Sequence, residues 1–174
     1  MKQALTALRP VEAQDLYRFQ LITDARLSPD GRRIVYGVQR VDQKTEKKYA
    51  NLWMVDAGGS SERQFTQGDQ NDVSPRWSPD GTTVAFLSTR REGEGAQVYL
   101  ISANGGEARR LTDLKGDISE ISWSPDGTRL LLGFTKKDQE VIDREADEQK
   151  KKLGTVSRHY TRLFYRFDGE GWYG

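Results

Sequence analysis

Three stretches of the chain share one pattern of apolar and polar positions. In each stretch apolar residues alternate with polar ones, a turn follows, and then comes an uninterrupted apolar run. Alternation predicts a strand with one buried face, whereas a continuous apolar run predicts an inner strand that is covered on both faces. The alternating residues are Ala25 and Leu27, Pro75 and Trp77, and Ile121 and Trp123; the runs are Ile34–Tyr36, Val84–Leu87 and Leu130–Leu132.

The turn has the same four residues, Ser-Pro-Asp-Gly, in all three stretches. Proline presets its φ, aspartate accepts hydrogen bonds from nearby backbone N–H groups, and glycine adopts a positive φ at no steric cost. From Asp30 to Asp80 is 50 positions, and from Asp80 to Asp126 is 46. The turn therefore marks a repeat of nearly fixed length. Its copies are Ser28–Gly31, Ser78–Gly81 and Ser124–Gly127.

Two more strands are predicted in each of the first two units, after the apolar run. The third strand leads through a pair of glycines into a fourth, and the closing Thr66 and Thr112 are again 46 positions apart. Four short strands per unit at this period are typical of the blades of a β-propeller. A plain antiparallel sandwich would not require matched turns and matched tryptophans at constant spacing. The predicted strands are Leu52–Val55 and Arg63–Thr66, and Val98–Ile101 and Arg109–Thr112.

We therefore predict an all-β fold, a partial β-propeller of four-stranded antiparallel blades with a short N-terminal helix. About two blades are complete and one is incomplete, because the last two strands of the third unit are missing from the pattern. The predicted boundaries are 1–20 for the N-terminal arm and helix, 21–66 for blade 1, 67–112 for blade 2, and 113–174 for the incomplete blade 3, with a charged insertion at 136–152.

Two segments outside the repeat are predicted to be helical. Pro10 is suited to open a helix that places Val11, Leu16 and Phe19 on one face, and this helix either caps the fold or docks on a neighbouring domain. In the charged insertion, acidic residues precede basic ones by four positions, as is typical of an exposed helix. The alternative for the insertion is a specific binding tail. The spaced pairs are Glu140 and Arg144, Asp147 and Lys151, and Glu148 and Lys152.

Charge and composition restrict the classes of partner and site that this chain can have. Lys and Arg number 27 against 26 Asp and Glu, and this balance argues against a nucleic-acid or anionic-membrane partner. No stretch approaches the length of a transmembrane helix, and the absence of cysteine excludes disulfides and thiolate zinc sites. The start of the sequence shows no secretory pattern, so we expect a cytoplasmic location.

Motifs for catalysis are not found, and we predict no catalytic, cofactor-binding or metal-binding residue in this chain. The segment Gly58–Glu62 lacks the closing glycine of a Gly-x-Ser-x-Gly elbow, and His159 is the only histidine, within an aromatic stretch where packing or exposure is expected. The turn aspartates do not cluster at the spacing of a calcium loop. Trp77 and Trp123 occupy equivalent repeat positions, which favours core packing over a ligand-stacking platform.

Blades built on Trp-Ser-Pro-Asp-Gly and an apolar strand resemble the repeats of two groups, the prolyl oligopeptidase family of serine peptidases and the TolB-type propellers. The opening Glu12–Phe19, which runs into Ala25–Gly31, is similar to the start of the acylaminoacyl-peptidase branch. The stretch Thr161–Gly171, after the charged insertion, is similar to that branch's third blade. The resemblance covers nearly the whole chain.

This resemblance implies an N-terminal propeller that gates substrate access to a C-terminal α/β-hydrolase domain, which carries the Ser-Asp-His triad and is not present in this chain. The implied partners are that domain and, through it, peptide substrates. A TolB-like module or a stand-alone propeller for protein–protein interaction is the alternative. The stand-alone form would complete its ring as a homo-oligomer, because an open propeller leaves strand edges unpaired.

Overall fold

The computed structural model of the chain describes residues 9–91, 95–147 and 149. The described residues fall into two compact units, which divide between Lys137 and Asp138. The first unit contains three antiparallel sheets, and this confirms the predicted all-β partial propeller.

Each sheet is one blade, with its strands in chain order. Blade 1 and blade 2 have four strands each, and blade 3 has two in the described part of the chain. Blade 1 comprises β1 Leu21–Leu27, β2 Arg33–Val41, β3 Lys48–Asp56 and β4 Arg63–Gln64; blade 2 comprises β5 Asp72–Trp77, β6 Thr83–Ser88, β7 Gln97–Ser102 and β8 Arg109–Arg110; blade 3 comprises β9 Gly116–Trp123 and β10 Leu130–Lys136.

The Ser-Pro-Asp-Gly turns join the first and second strands of every blade, as predicted. The register beside the turn is the same in all three blades, so equivalent repeat positions occupy equivalent places in space. The pairs that flank the turns are Leu27 with Ile34, Trp77 with Val84, and Trp123 with Leu130.

The core lies between blades, because each sheet buries apolar residues against the next one. The first seam, between blade 1 and blade 2, contains Val35, Leu52, Met54, Phe65, Trp77, Val84, Phe86, Tyr99, Ile101 and Ala103. The second seam, between blade 2 and blade 3, contains Ala85, Leu87, Val98, Leu100, Ile118 and Ile121, with Trp123, Leu130 and Leu132 packed against them.

The fourth strands are shorter than the sequence predicts. β4 and β8 have two residues each and end before Thr66 and Thr112. The threonine hydroxyl replaces the missing ladder bond: Thr66 Oγ1 accepts from the Leu52 N–H at 2.9 Å, and Thr112 Oγ1 accepts from the Val98 N–H at 2.9 Å. The matched spacing of the two threonines therefore reflects a side-chain bond to the third strand.

The N-terminal helix is present as a 3₁₀ helix over Ala13–Arg18. The prediction that it begins at Pro10 is wrong. Its start is fixed by Asp15, whose carboxylate accepts the Glu12 N–H at 2.9 Å and two hydrogen bonds from the Arg9 guanidinium. These contacts hold the chain extended before Ala13, so a longer helix does not form.

The apolar side chains predicted for one face of that helix are exposed. Val11, Leu16 and Phe19 are all more than half accessible to solvent. Capping of the fold by this face is therefore not observed among the described residues.

The exposure of Leu131 contradicts a second prediction from the sequence. The run Leu130–Leu132 was expected to be covered on both faces, but Leu131 is 75% exposed. Leu130 and Leu132 pack toward blade 2, whereas alternation along the strand turns Leu131 to the opposite face, where no described residue covers it.

The second unit contains one described helix, α1 Gln139–Glu145, within the segment predicted as a charged helical insertion. Gln139 Nε2 donates to Asp143 Oδ1 at 2.9 Å, one turn ahead. Each of the three predicted ion pairs includes a side chain outside the described set. The aromatic stretch with His159 and the glycine-rich residues after it also lie outside the described residues. No described helix is both long and apolar enough to cross a membrane.

We expect Trp77→Ala and Trp123→Ala to lower the free energy of unfolding by about 3–5 kcal/mol each, because each empties an aromatic site in a seam. Trp123, which is half-buried, should lie at the lower end of this range. Urea denaturation measures both losses, and Trp77→Phe, which keeps a ring in the site, is the matched control. A loss under about 1 kcal/mol would show that the ring contributes little to the core.

Candidate interface: the turns, seams and open faces of the blades

The repeated turn is closed by the same three hydrogen bonds in every blade. In blade 2, Ser78 Oγ donates to Asp80 Oδ1 at 2.5 Å, the Thr83 N–H donates to Ser78 Oγ at 3.0 Å, and the Thr82 N–H donates to Asp80 Oδ1 at 3.0 Å. Gly81 has a φ of +70°, which favours glycine. The other turns repeat this geometry within about 0.1 Å.

These hydrogen bonds shift the titration of the turn carboxylates. In Asp30, Asp80 and Asp126 the serine hydroxyl is the largest cause that lowers the pKa, and the backbone N–H two residues on is the next. Each donor stabilises the charged carboxylate, so the pKa in the folded chain lies below its ordinary value. The three turns are therefore best formed with ionised aspartates.

Successive turns also touch each other. A Cβ added to Gly81 would lie 3.6 Å from the ring of Pro29, and one added to Gly127 would lie 3.4 Å from the ring of Pro79. The proline ring of one blade therefore lies beside the turn of the next at a distance that a side chain would also allow, and it is the positive φ that favours glycine there. The turns form a row along one edge of the three sheets.

Both tryptophans of the repeat bond to the preceding blade. Trp77 Nε1 donates to the carbonyl oxygen of Arg26 at 3.0 Å, and Trp123 Nε1 donates to that of Arg76 at 3.1 Å. The indole therefore fills the seam with its ring and satisfies its own N–H there. The two equal contacts explain the matched tryptophan spacing. Both rings pack in a seam, which favours the core interpretation over a ligand-stacking platform.

Charged groups cross the first seam at two places. Arg76 Nη1 lies 2.8 Å from Asp24 Oδ2. Arg33 of blade 1 donates to the carbonyl oxygens of Ala103 at 3.1 Å and Gly81 at 3.4 Å, and its guanidinium carbon lies 5.2 Å from the Trp77 ring centre. Blade 1 and blade 2 are thus held together by charge as well as by apolar packing.

The side of blade 1 that faces away from blade 2 is an open apolar face. Ile22 is 69% exposed and Leu27 is 57% exposed. A groove of about 520 Å³ runs along it. The equivalent face of blade 2 is the one that blade 1 covers in the first seam. We define the open face of blade 1 by Ile22, Ala25, Ile34, Tyr36, Val38, Trp53 and Val55.

One polar contact lies at the edge of this open face. The Tyr36 hydroxyl donates to Glu62 Oε1. Burial, and then the hydrogen bond to the carboxylate, raise the pKa of Tyr36 to about 12. The phenol therefore stays neutral at physiological pH and serves as a donor.

Chemistry-bearing side chains elsewhere have structural roles. The segment Gly58–Glu62 is the turn between β3 and β4, where Ser60 Oγ contacts Asp56 Oδ2 at 3.4 Å. Asp72, which is fully buried, accepts from Ser88 at 2.6 Å and from Arg90 at 3.0 Å. In the described part of the chain, no three acidic or histidine side chains are close enough to hold a metal ion. That this chain supplies no catalytic residue stays a prediction.

Sequence reasoning missed the residues that cross the first seam. Arg33, Asp24 and Arg76 lie at positions that do not hold the same residue in all three repeats, so the repeat alone does not single them out. Asn51 and Gln97 were also missed, although they are 46 positions apart. Asn51 Nδ2 donates to the Gly68 carbonyl at 3.1 Å, and Gln97 Nε2 makes the equivalent bond to Leu114 at 2.8 Å. Aligning polar positions to the repeat would have found this pair.

Comparison with known proteins identifies related sequences. A family model described as the TolB beta propeller domain matches residues 6–161. The uncharacterized peptidase YuxL of Bacillus subtilis is 35% identical over 84 residues, which are 48% of this chain and 13% of that protein. Dipeptidyl-peptidase 5 of Porphyromonas gingivalis is 39% identical over 67 residues, which are 38% of this chain and 10% of that protein. The chain thus matches only a small part of the length of these curated relatives.

A solved structure shows the same fold. An acylaminoacyl peptidase in complex with Z-Gly-Gly-Phe-chloromethyl ketone superposes with a TM-score of 0.63 at 22% sequence identity. The match covers 90% of this chain and 22% of that one. At this level of identity, the likeness concerns the arrangement of the blades.

The turn carboxylates predict a pH dependence of stability. Because their folded pKa values are lowered, their contribution is fully present above the unfolded aspartate value of about 3.9 and is lost as pH falls through the folded value. Asp80→Asn should therefore destabilise the protein at neutral pH and reduce the loss of stability between about pH 5 and about pH 3. Urea unfolding across this range is the measurement. Glu107→Gln, at an exposed position outside the turns, is the control, and an unchanged slope for Asp80→Asn would contradict the assignment.

The ion pair of the first seam predicts a measurable coupling. Asp24 and Arg76 are 22% and 25% exposed, so solvent screens them only partly. In a double-mutant cycle with Asp24→Asn and Arg76→Gln, we expect a coupling free energy of about 1 kcal/mol that falls in high salt. Asp69→Asn combined with Arg76→Gln is the control cycle, because Asp69 pairs with Arg40. Equal coupling in both cycles would show that no specific contact is measured.

Proposed function

This chain belongs to the TolB β-propeller domain family, and we propose that it is the N-terminal propeller part of a serine peptidase of the acylaminoacyl or oligopeptidase type. In this proposal the blades gate access to a catalytic α/β-hydrolase domain that is not present in this chain. The substrates would be acyl-amino acids or short peptides, hydrolysed by that domain. A cytoplasmic location is part of the proposal, and cell fractionation of the native host tests it.

The observation that carries the proposal is that the curated relatives are named peptidases, and that they share more than a third of their residues with this chain in the matched segments. The matched segments are a small part of each relative, so the rest of such a polypeptide has room for a catalytic domain. The open apolar face of blade 1 supports a larger assembly, since an apolar face of this kind is buried wherever it recurs in the structure.

A gate fits what the blades can do physically. Their side chains are used for packing within seams and for closing turns, and this gives rigid walls. A rigid wall beside an active site restricts access by size, whereas the chemistry requires a nucleophile and a base that are supplied elsewhere. The engagement of these side chains in seams and turns supports the proposed division of labour.

An interaction module is the second candidate, because the matching family is that of TolB propellers. In that case the chain would complete its ring by forming a homo-oligomer through the open faces. Size-exclusion chromatography of the 174-residue chain discriminates between the two. A single well-defined oligomer supports the interaction module, whereas aggregates or a loosely packed monomer support a part of a longer peptidase.

We expect the complete gene product to hydrolyse a chromogenic acyl-amino acid or short-peptide substrate, and the 174-residue chain alone to show no turnover. The matched control is the complete protein with the serine of its downstream Gly-x-Ser-x-Gly replaced by alanine. A gene product without such a motif, or turnover by the purified 174-residue chain, would refute the proposal.

His159→Ala should leave the activity of the complete protein largely intact, and a drop of about a thousandfold would assign that histidine a catalytic role.

A further inference from the structure

The connection between β7 and β8 is laid out like the repeated turns. Ser102 is followed two positions later by Asn104 and then by Gly105. The Gly105 N–H donates to the Ser102 carbonyl oxygen at 2.8 Å, just as the Gly81 N–H donates to that of Ser78 at 2.9 Å. Both glycines have a positive φ, +98° for Gly105 and +70° for Gly81. The two kinds of turn therefore share this backbone bond and differ in the side chain before the glycine.

That side chain is held in the repeated turns and free in the β7–β8 connection. Asp80 accepts from the Ser78 hydroxyl and the Thr82 N–H, and the other two turn aspartates have the same two donors. The Ser102 hydroxyl instead accepts from the Asn104 N–H at 3.3 Å. The Asn104 carboxamide is exposed and has no hydrogen bond to a described residue. It can therefore turn toward its own main chain.

An asparagine that precedes a glycine can react with the backbone that follows it. The Gly105 nitrogen attacks Cγ of Asn104, and the new N–Cγ bond closes a five-membered succinimide. The Cγ–Nδ2 bond breaks, and the NH₂ group leaves as ammonia with the proton of the Gly105 amide. Water then opens the ring at one of its two carbonyl carbons, which gives aspartate or isoaspartate. Water is the only co-reactant, and no electron is transferred.

The surroundings of Asn104 favour this ring closure. Glycine has no Cβ to hinder the approach of its nitrogen to Cγ. Residues 105–108 belong to no strand, so the turn opens locally when the single bond from Gly105 to Ser102 is broken. Asn104 is also the only asparagine among the 174 residues that precedes a glycine.

We propose that Asn104 is a site of spontaneous deamidation in the folded protein, whereas the Asp-Gly pairs of the three repeated turns are protected from the same ring closure. The protection comes from the serine hydroxyl and the backbone N–H that hold each turn carboxylate away from the glycine nitrogen. An ionised carboxylate is also a poor electrophile, so the lowered pKa of Asp80 acts in the same direction.

Deamidation adds a negative charge at the edge of the first seam. Arg63 of blade 1 lies beside this turn, with Nη1 3.4 Å from the position that a Cβ on Gly105 would take. The Arg63 guanidinium contacts Met54 Sδ at 3.8 Å and the Phe65 ring, and it forms no ion pair with a described carboxylate. The product carboxylate at position 104 therefore forms near a cation that has no acidic partner in the described part of the chain.

The experiment follows the reaction in the complete gene product, incubated folded and, in parallel, unfolded in urea at the same mildly alkaline pH. Trypsin then releases residues 92–109 as one peptide whose only asparagine is Asn104. Mass spectrometry of this peptide measures the conversion of amide to acid. The rate in the unfolded chain divided by the rate in the folded chain gives the protection of the site. We expect a protection of less than about tenfold at Asn104.

Asp80→Asn is the matched variant, because it places the same Asn-Gly chemistry in a repeated turn. The carboxamide oxygen can still accept from Ser78 and Thr82, so we expect a protection of at least about a hundredfold there. Trypsin isolates this site in residues 77–90. Isoaspartate formation at the native Asp80, measured as the same ratio of unfolded to folded rates, gives the comparison without a substitution in the turn.

Asn104→Gln is the second control. It keeps an exposed amide at this position, but the longer side chain would have to close a less favourable six-membered ring. We therefore expect the acidic product to disappear from the peptide of residues 92–109.

Three results would overturn the proposal. No product at Asn104 in the folded protein, after a time in which the unfolded chain is converted, would show that the turn shields this residue. Equal protection of Asn104 and of the site in Asp80→Asn would show that the held side chain makes no difference. Acidic product that persists in Asn104→Gln would place the modification at another residue. None of these measurements uses peptidase activity, so their outcome is independent of the proposed function.

Discussion

The structure depends on the burial of one blade by the next. A four-stranded sheet of this repeat has an apolar face on each side, and neither face can be satisfied within the sheet itself. The largest fully buried apolar side chains, such as Phe86 and Leu52, lie in seams. A single blade therefore has no core of its own. Stability is shared between neighbours, as in other repeat architectures.

The seams are similar in packing and different in polarity. Both contain a tryptophan that donates its indole N–H to a carbonyl of the first strand of the preceding blade. The first seam adds an ion pair and a guanidinium that reaches two backbone carbonyls. Apolar packing makes blades adhere to one another without selecting among them, whereas charged groups at defined positions favour one order of blades over another. The gate proposed here would be built from both.

Much of the fold could be predicted because its causes are local and repeated. The turn sequence sets a hairpin, and alternation before it sets the buried face, so the positions of Trp77 and Trp123 followed from spacing alone. The predictions that failed concern side chains whose surroundings lie outside their own repeat. Leu131 belongs to a continuous apolar run, yet its cover would have to come from another element. Arg33 could not be found, because its acceptors are 70 and 48 residues away in the chain and lie on another sheet.

The contact between successive turns affects how such proteins gain blades by gene duplication. Each turn carries a proline whose ring lies beside the glycine of the following turn and a glycine that lies beside the proline of the preceding turn, as Pro79 and Gly81 show within one turn. Both halves of the joint are thus encoded in the same short stretch of DNA. When that stretch is duplicated in tandem, the turn of the new copy fits beside the turns on either side of it, so rings of different circumference are reached from one ancestral unit.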